Sequence, residues 1–259
     1  MNIVVCIKQV PGTTEIKIDP ETNTLVREGV ESIINPFDTY ALEEGVRLKE
    51  RCGGKVTAIT MGPPQAENAL RETISLGADE AILISDRVFA GSDTWATSYV
   101  LSRALAKIAD YDVIICGKQT LDGDTGQVGS GLSEMLGVPF VAYVSKIDEI
   151  KEGYIRVHRM VEEGYEVLEM ALPAVITVVK EINVPRLPSL RGSMKAKTAQ
   201  IPVWTAADIG VEEDKAGIAG SPTRVVKIFF PKREHKSEMF QGTPEEQVGQ
   251  LVKRLEGII

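Results

Sequence analysis

The sequence predicts an α/β fold: a doubly wound, mostly parallel β-sheet that also carries a β-hairpin and an extended C-terminal arm. Short apolar runs alternate along the chain with segments whose apolar residues recur at helical spacing. The apolar runs lack the polar/apolar alternation of strands with one wet face, which indicates parallel strands covered on both faces. The repeated strand–helix–strand order then favours helices on both sides of a single sheet.

The predicted strands are short and apolar. Six runs read as buried strands: residues 3–8, 56–61, 81–86, 113–117, 139–144 and 173–179. Before the sixth run, residues 154–172 read as two extended segments around Glu162, Glu163 and Gly164, which predicts a hairpin.

Four helices are predicted between the strands, over residues 38–54, 64–78, 92–109 and about 124–136. The first ends in Gly53 and Gly54, a C-terminal stop signal. The second begins with Pro64, which is favoured in a first helical turn. The third opens with the capping residues Ser92, Asp93 and Thr94.

The alternation ends at Asn183. Residues 183–204 hold three prolines and form a basic segment, to which Arg186, Arg191, Lys195 and Lys197 contribute the positive charges. Residues 206–259 contain polar loops and one helix candidate after Pro244. This tail is too polar to bury much core alone, so we expect it to wrap on a partner subunit. The alternative is a loosely packed tail on its own domain.

Composition excludes several classes of function. The 259 residues carry a net charge of −8, which argues against general nucleic-acid binding or binding to an anionic membrane. No apolar run approaches the ~20 residues of a membrane span. The N-terminus enters a strand without a basic leader, so a cytoplasmic location is expected.

Cysteine and histidine are scarce. Cys6, Cys52 and Cys116 contain no CxxC spacing, and two of them lie inside apolar runs, so reduced, mostly buried thiols are expected. His158 and His235 have no spaced carboxylate or thiol partners. A metal site and a histidine-based nucleophilic apparatus are therefore not expected, and no catalytic residue is assigned.

One loop stands out, "CGKQTLDGDTGQVG" at residues 116–129. A glycine-rich turn between a strand and a helix leaves backbone N–H groups open, which makes an anion site without side-chain cations. We expect the amides of Thr125, Gly126 and Gln127 to face a ligand, Asp124 to cap the helix, and Asp122 to accept from ribose hydroxyls. The alternative is a capped tight turn without a ligand.

The loop matches neither standard phosphate motif. Lys118 follows the strand directly, unlike the lysine of a P-loop, and residues 126–131 read G-x-x-G-x-G rather than G-x-G-x-x-G. Two other segments are expected at the same edge of the sheet, "NPFD" at 35–38 and "TMGP" at 60–63.

Together these segments resemble the beta subunit of electron transfer flavoproteins. The most specific match is the hairpin signature of that family, accompanied by "NPFDTYALEEGVRLKE", by "GKQ" followed by acidic residues, and by "PRLPSLRGSMKAK". The signature residues are Val157, Arg159, Glu162, Glu163, Gly164, Glu166, Leu168, Pro173, Val175, Ile176 and Thr177. The resemblance implies a Rossmann-like fold of the adenine nucleotide alpha hydrolase type.

The resemblance also implies a cofactor site for an adenine nucleotide. In simple members of the family the nucleotide is structural AMP, and in electron-bifurcating members it is a second FAD that takes a hydride from NADH. The segments "DGDTGQVG" at 122–129 and "GSDT" at 91–94 resemble the corresponding segments of the bifurcating members. The implied cofactor-binding residues are Cys6, Asn35, Pro36, Phe37, Asp38, Met61, Asp93, Thr94, Gly117, Lys118, Gln119, Thr120, Leu121, Asp122, Gly123, Asp124, Thr125, Gly126, Gln127 and Val128.

The implied organisation has three parts: a nucleotide-binding domain at 1–183 that includes the hairpin, a partner-recognition loop at 184–200, and an arm at 201–259 that packs on the alpha subunit. In the family this loop docks on an acyl-CoA dehydrogenase, which assigns docking to Leu190, Arg191 and Lys195. Ferredoxin or flavodoxin is the implied second acceptor. Two alternatives stay open, a simple carrier with AMP and a nucleotide-binding regulatory domain without a redox role. Whether the chain counts as an enzyme is left open.

Overall fold

The computed structural model describes residues 1–12, 32–151, 153–226 and 237–256, together with the backbone of two short strands at 17–18 and 25–26. By its internal contacts the chain divides into two compact units, Met1–Val225 and Val226–Ile259. The first unit contains the sheet, and the second contains the last helix. Within the described ranges, no helix has both the length and the apolar character needed to cross a membrane.

The strands agree with the predicted pattern and add several short ones. They are β1 (Asn2–Cys6), β2 (Gln9–Pro11), β3 (Lys17–Ile18), β4 (Leu25–Val26), β5 (Ser32–Ile34), β6 (Lys55–Met61), β7 (Glu80–Ile84), β8 (Val113–Gly117), β9 (Phe140–Lys151), β10 (Tyr154–Val161), β11 (Gly164–Ala171), β12 (Ala174–Val178) and β13 (Val203–Trp204). Among the described residues, nine strands form one sheet in the order β11-β10-β9-β12-β8-β1-β6-β7-β13. The pairs from β9–β12 to β7–β13 are parallel, whereas β9, β10 and β11 pair antiparallel.

The helices are α1 (Pro36–Cys52), α2 (Glu67–Ser75), α3 (Thr94–Ile108), α4 (Val128–Leu136), α5 (Leu190–Thr198), α6 (Ala206–Ile209) and α7 (Pro244–Glu256). The helix candidate after Pro244 is confirmed as α7. The second predicted helix is shorter than expected, because residues 64–66 form a 3-10 turn before α2 begins.

Both faces of the sheet are covered, as the lack of alternation predicted. Along β1, Ile3 and Val5 belong to a core cluster that includes residues of α1 and α2. Their neighbours Val4 and Cys6 belong to a second cluster that includes residues of α3 and α4. Each face of the strand therefore buries its own apolar layer, and the doubly wound α/β prediction is confirmed.

The hairpin is larger than the sequence indicated. The two predicted extended segments are β10 and β11, but β9 continues well past its predicted end at residue 144 and pairs with β10. The extension occurs because the first part of β9 pairs with β12, whereas its second part pairs with β10. The hairpin is thus part of a three-stranded antiparallel extension of the parallel sheet.

The predicted recognition loop contains a helix. Residues 190–198 form α5, and the Ser189 hydroxyl caps it by accepting a hydrogen bond from the Gly192 amide at 2.9 Å. The first compact unit also extends through α5 and β13 to Val225. The functional division of the chain after residues 183 and 200 stays a prediction. Cys6 and Cys116 are buried and Cys52 is exposed, and all three thiols are free.

Candidate functional site

The candidate site lies where the winding of the sheet reverses. From β1 the chain moves to β6 and β7 on one side, and it then returns to β8 on the other side. In open α/β sheets, ligands bind outside the carboxyl ends of the strands at such a point. Here Cys6 at the end of β1 lies in register with Cys116 of β8. The structure therefore places Cys6 close to Gly117, and the contact of either residue with a cofactor stays a prediction.

Asn35 makes hydrogen bonds both to the loop after β8 and to the segment after β1. Its buried side chain donates from Nδ2 to the Gln119 carbonyl at 2.8 Å, and its Oδ1 accepts from the Leu121 amide at 3.2 Å. Its backbone amide also donates to the Lys8 carbonyl at 2.8 Å. Because the side-chain amide is engaged on both of its polar atoms, Asn35 fixes the course of the loop that follows β8.

Asp38 lies beneath the same loop at the start of α1. Its Oδ2 accepts from the Lys8 amide at 2.8 Å, and the Gly117 amide also bonds to the carboxyl group. Burial raises the pKa of Asp38 to about 7, against these hydrogen bonds, which favour the charged form. The burial of this carboxyl group was not predictable from the residues around it.

Gly117 permits this close approach of α1 to β8. A Cβ atom at this position would lie 2.4 Å from Asp38 Oδ1 and 2.7 Å from the carbonyl carbon of Phe37. No side chain fits in that gap. The end of β8 and the first turn of α1 are thus in backbone contact, which places residues 35–38 beside the loop.

The prediction that Asp124 caps the following helix is wrong. The helix α4 begins at Val128, and its capping position is Gln127, whose side chain makes no capping hydrogen bond. The Asp124 amide donates to the Thr120 carbonyl at 2.9 Å, which closes a turn before the helix can start. Asp124 itself has a left-handed φ of 51°, and its Oδ1 accepts from Gln119 Nε2.

This geometry leaves the start of α4 open. Among the hydrogen bonds of the described residues, the amides of Thr125, Gly126 and Gln127 have no acceptor. These residues are exposed, and Gly126 has a φ of 63° and carries no side chain over the loop. Such a row of open N–H groups before a helix fits the phosphate of a nucleotide.

Asp122 has a partner within the chain. Lys8 Nζ donates to Asp122 Oδ1 at 2.8 Å and to Oδ2 at 2.7 Å, which holds the loop against the residues that follow β1. Partial burial acts to raise the pKa of Asp122, but the Lys8 ammonium holds it below its ordinary value. Sequence reasoning missed Lys8, since a lysine after a strand has no distinguishing local signal.

Two glycines of α4 set its position by close packing. A Cβ on Gly129 would lie 2.5 Å from Thr177 Cγ2, and a Cβ on Gly131 would lie 2.4 Å from Ser98 Oγ. The second contact brings the first turn of α4 against α3. The residues at the start of α3 therefore lie at the same edge of the sheet as the loop.

Asp93 caps α3. Its Oδ1 accepts from the amides of Trp95 and Ala96 at 2.9 and 3.0 Å. Its Oδ2 accepts from the amide and hydroxyl of Thr223 at 2.9 and 2.8 Å. Burial acts to raise the pKa of Asp93, but these hydrogen bonds hold it below its ordinary value. Its predicted contact with a cofactor stays a prediction, as does that of Thr94.

A cleft of about 680 Å³ lies beside the loop. Of the predicted site residues only Phe37 and Lys118 line it, and Lys118 Nζ lies 5.0 Å from the centre of the Phe37 ring. The remaining walls come from the start of β9, the end of β10 and the segment after β12. Tyr143, one of these lining residues, has a left-handed φ of 59°, for which its strand-like sequence gave no sign.

The residues predicted to dock a partner lie on α5. Leu190 is 81% exposed, and Arg191 is exposed beside it. Lys195 Nζ donates to the carbonyls of Ala78 and Asp79 at 3.1 and 3.0 Å. Arg186, which the sequence placed in the same positive patch, instead pairs with two glutamates of α1. That patch is therefore smaller than predicted.

Comparisons with known proteins find similar sequences over nearly the whole chain. The profile of the electron transfer flavoprotein domain matches residues 22–209. An electron transfer flavoprotein subunit beta of Thermoanaerobacterium thermosaccharolyticum is 51% identical over 98% of each chain. The caffeyl-CoA reductase-Etf complex subunit CarD of Acetobacterium woodii is 48% identical over 98% of each chain. Protein FixA of Azotobacter vinelandii is 46% identical over 93% of this chain and 88% of its own.

The family assignment rests on the agreement of three findings: the profile match, the near full-length similarity to named beta subunits, and a mostly parallel sheet with its loop at the switch point. The chain therefore belongs to the electron transfer flavoprotein family, among its beta subunits.

Proposed function

We propose that this chain is the beta subunit of an electron-bifurcating electron transfer flavoprotein. It holds FAD, accepts a hydride from NADH, and sends electrons both to ferredoxin or flavodoxin and, through the FAD of an alpha subunit, to an acyl-CoA dehydrogenase. The observation that best supports a nucleotide in this chain is the open row of amides at residues 125–127, ahead of α4 and at the switch point of the sheet.

The chain's own residues would hold and orient the cofactor. The amides of Thr125, Gly126 and Gln127 would donate to its phosphates, and Gly123 leaves room above the loop because a Cβ there would meet only Thr120 Oγ1, at 3.5 Å. Asn35 would keep the loop in place from below. When bound, FAD supplies both one-electron and two-electron redox chemistry.

The loop sequence "DGDTGQVG" favours the bifurcating form over the simple form, because it resembles the bifurcating members of the family. The alternative function is a simple carrier that holds AMP, since the same open amides would bind the phosphate of AMP. A partner that acts on a CoA thioester is supported by the relative whose printed name places it in a caffeyl-CoA reductase complex, and we propose an acyl-CoA dehydrogenase as that partner. A regulatory domain without a redox role is disfavoured by the family.

The experiment that tests the site is a proline substitution at Gln127 in the copurified heterodimer. Gln127→Pro removes one amide donor, and the φ of −100° at residue 127 has to move toward the proline value of about −65°. Losing a hydrogen bond to an anion costs about 2 kcal/mol, which is roughly thirtyfold in affinity. We expect weaker retention of one flavin and slower bleaching of the flavin absorbance by NADH under anaerobic conditions.

The matched control is Gln127→Ala, which keeps the amide and removes only a side chain that makes no capping bond. It should retain flavin like the wild type. Equal flavin content and equal NADH rates in the proline variant would show that this loop is not the cofactor site.

Docking is tested by Leu190→Ala. The side chain is 81% exposed, so its truncation should leave folding and flavin content unchanged. If the side chain fills an apolar pocket on the dehydrogenase, truncation should weaken binding by about 2 kcal/mol, roughly thirtyfold. The measurement is the rate of dehydrogenase reduction against dehydrogenase concentration. Wild-type rates at sub-saturating partner would refute the docking role.

A further inference from the structure

The segment assigned to docking presents a row of exposed apolar side chains. Leu190 and Met194 stand four residues apart on α5 and therefore share one face of that helix. They are 81% and 65% exposed, and Leu187, just before the helix, is 87% exposed. Arg191 and Lys197 are exposed beside them. We call Leu187, Leu190 and Met194 the apolar row.

The start of this segment is fixed to α1 by Arg186. The guanidinium donates from Nε to Glu43 Oε2 at 2.8 Å, and from Nη1 and Nη2 to the two oxygens of Glu50 at 2.6 and 3.0 Å. The Arg186 amide adds a hydrogen bond to Glu43 Oε2 at 3.1 Å. One arginine thus spans two carboxylates that lie seven residues apart on a rigid helix.

Glu43 is the buried member of this group, with 4% of its surface exposed. Burial alone would raise the pKa of Glu43, but hydrogen bonds from Arg186 and Arg47 hold it below its ordinary value. A buried carboxylate that loses a partner is strongly destabilised. The ion pair between Glu43 and Arg186 therefore holds Arg186 in place more firmly than an exposed ion pair would, because exposed ion pairs contribute little to stability.

The rest of the segment is tied down at both ends. Asn183 Nδ2 donates to Glu44 Oε2 and to the Tyr40 carbonyl, each at 3.0 Å. At the other end, Arg71 Nη1 donates to the carbonyls of Ala196 and Ala199 at 2.7 and 3.2 Å. The backbone between these ties is held, while the apolar row between them has no cover among the described residues.

We propose that the Arg186–Glu43–Glu50 cluster is a clamp that positions the apolar row for docking, so that Arg186 is a positioning residue for electron delivery to the partner protein. This inference rests on the proposed docking function. A docking element that is already ordered loses less conformational freedom on binding, which strengthens binding without any new contact. The partner surface that fits is an apolar pocket with an acidic rim, because Arg191 and Lys197 flank the row.

The test uses the copurified heterodimer and the acyl-CoA dehydrogenase of the same organism that the wild-type complex reduces fastest. For Arg186→Ala we expect about a tenfold higher half-saturating concentration of dehydrogenase, equivalent to ~1.4 kcal/mol. The maximal rate at saturating dehydrogenase should stay at the wild-type value, since the clamp does not touch the cofactor loop. Amide hydrogen exchange of residues 190–198 should become faster in the same variant.

Two comparisons make the result specific. Lys55→Ala removes an exposed ion pair with Glu80 on another part of the chain and should change neither the affinity nor the exchange rates. The double variant Arg186→Ala with Glu43→Gln should weaken binding no more than Arg186→Ala alone, because both changes release the same clamp.

If Arg186→Ala fails to assemble, Arg186→Lys replaces it. We expect this variant to lose about threefold in affinity for the dehydrogenase, because lysine cannot span both carboxylates.

The outcomes separate this inference from the docking function itself. Unchanged affinity in the Arg186 variant, while Leu190→Ala weakens binding, overturns the clamp and leaves docking intact. Faster exchange with unchanged affinity also overturns it, because the cluster would then only stabilise the fold. If Leu190→Ala has no effect on affinity, the docking function has failed, and the inference fails with it.

Discussion

Replacing Gly117 with alanine is expected to destabilise the chain by about 3 kcal/mol, the upper end of the range for overpacking a core. The added Cβ would lie 2.4 Å from Asp38 Oδ1 and 2.7 Å from the Phe37 carbonyl carbon. The second neighbour is backbone of α1 and cannot rotate away, so the start of the helix must move. Urea unfolding of the chain, followed by circular dichroism, measures the change in the free energy of unfolding.

The matched control is Gly123→Ala in the same loop. Its Cβ would meet only Thr120 Oγ1, at 3.5 Å, and Gly123 is not among the glycines with a left-handed backbone. The free energy of unfolding should change by less than about 0.5 kcal/mol. Equal stability of the two alanine variants would mean that α1 and β8 are not in the tight contact described above.

The second large effect is a pH dependence of stability that arises from Asp38. Its pKa is about 7 in the folded chain because of burial, against 3.8 as the ordinary value. A carboxyl group with a raised pKa binds its proton more tightly in the folded state. Its stabilising contribution is therefore fully present below about pH 4 and is lost as the pH rises through 7.

Asp38→Asn removes this titration and keeps an oxygen that can accept from the Lys8 amide. Relative to the wild type, the variant should gain stability between pH 4 and pH 8, by an amount on the order of 4 kcal/mol. The measurement is urea unfolding of both chains at several pH values across this range. A stability difference that does not change with pH would contradict the burial of an uncharged Asp38.

The sheet was predictable because it depends on residue types that repeat. Buried parallel strands need continuous apolar runs, and those runs stand out in any sequence of average composition. The length of β9 was not predictable, because its second half is set by pairing with β10, a contact that local sequence does not encode. The helix α5 was missed because contacts with α2, such as those of Arg71, hold it in place, and local sequence does not encode such contacts, although Ser189 is an ordinary helix cap.

The positions of the candidate residues in the fold were predicted in outline and missed in detail, and their contact with a cofactor stays a prediction. The loop, residues 35–38 and the start of α3 do meet at one edge of the sheet, since the topology rule that places ligands there is general. The role given to Asp124 was wrong because a turn that ends at Asp124 intervenes before α4 begins. The ion pairs of Lys8 and Arg186 were missed because their carboxylate partners lie more than a hundred residues away in the sequence.

Membership of the electron transfer flavoprotein family makes this chain one subunit of a protein that transfers electrons together with an alpha subunit. The proposals add the identity of the nucleotide, the electron donor and the acceptors. NADH as the electron donor and ferredoxin or flavodoxin as an acceptor both require FAD in this chain, because a chain that carries AMP has no second flavin for NADH to reduce.

The central claim is tested most directly by counting flavin and nucleotide in the copurified heterodimer after acid release and chromatography. We predict two FAD per heterodimer and no AMP, with weaker retention of one FAD in Gln127→Pro and wild-type retention in Gln127→Ala. One FAD together with one AMP per heterodimer would contradict it and would make this chain the beta subunit of a simple carrier.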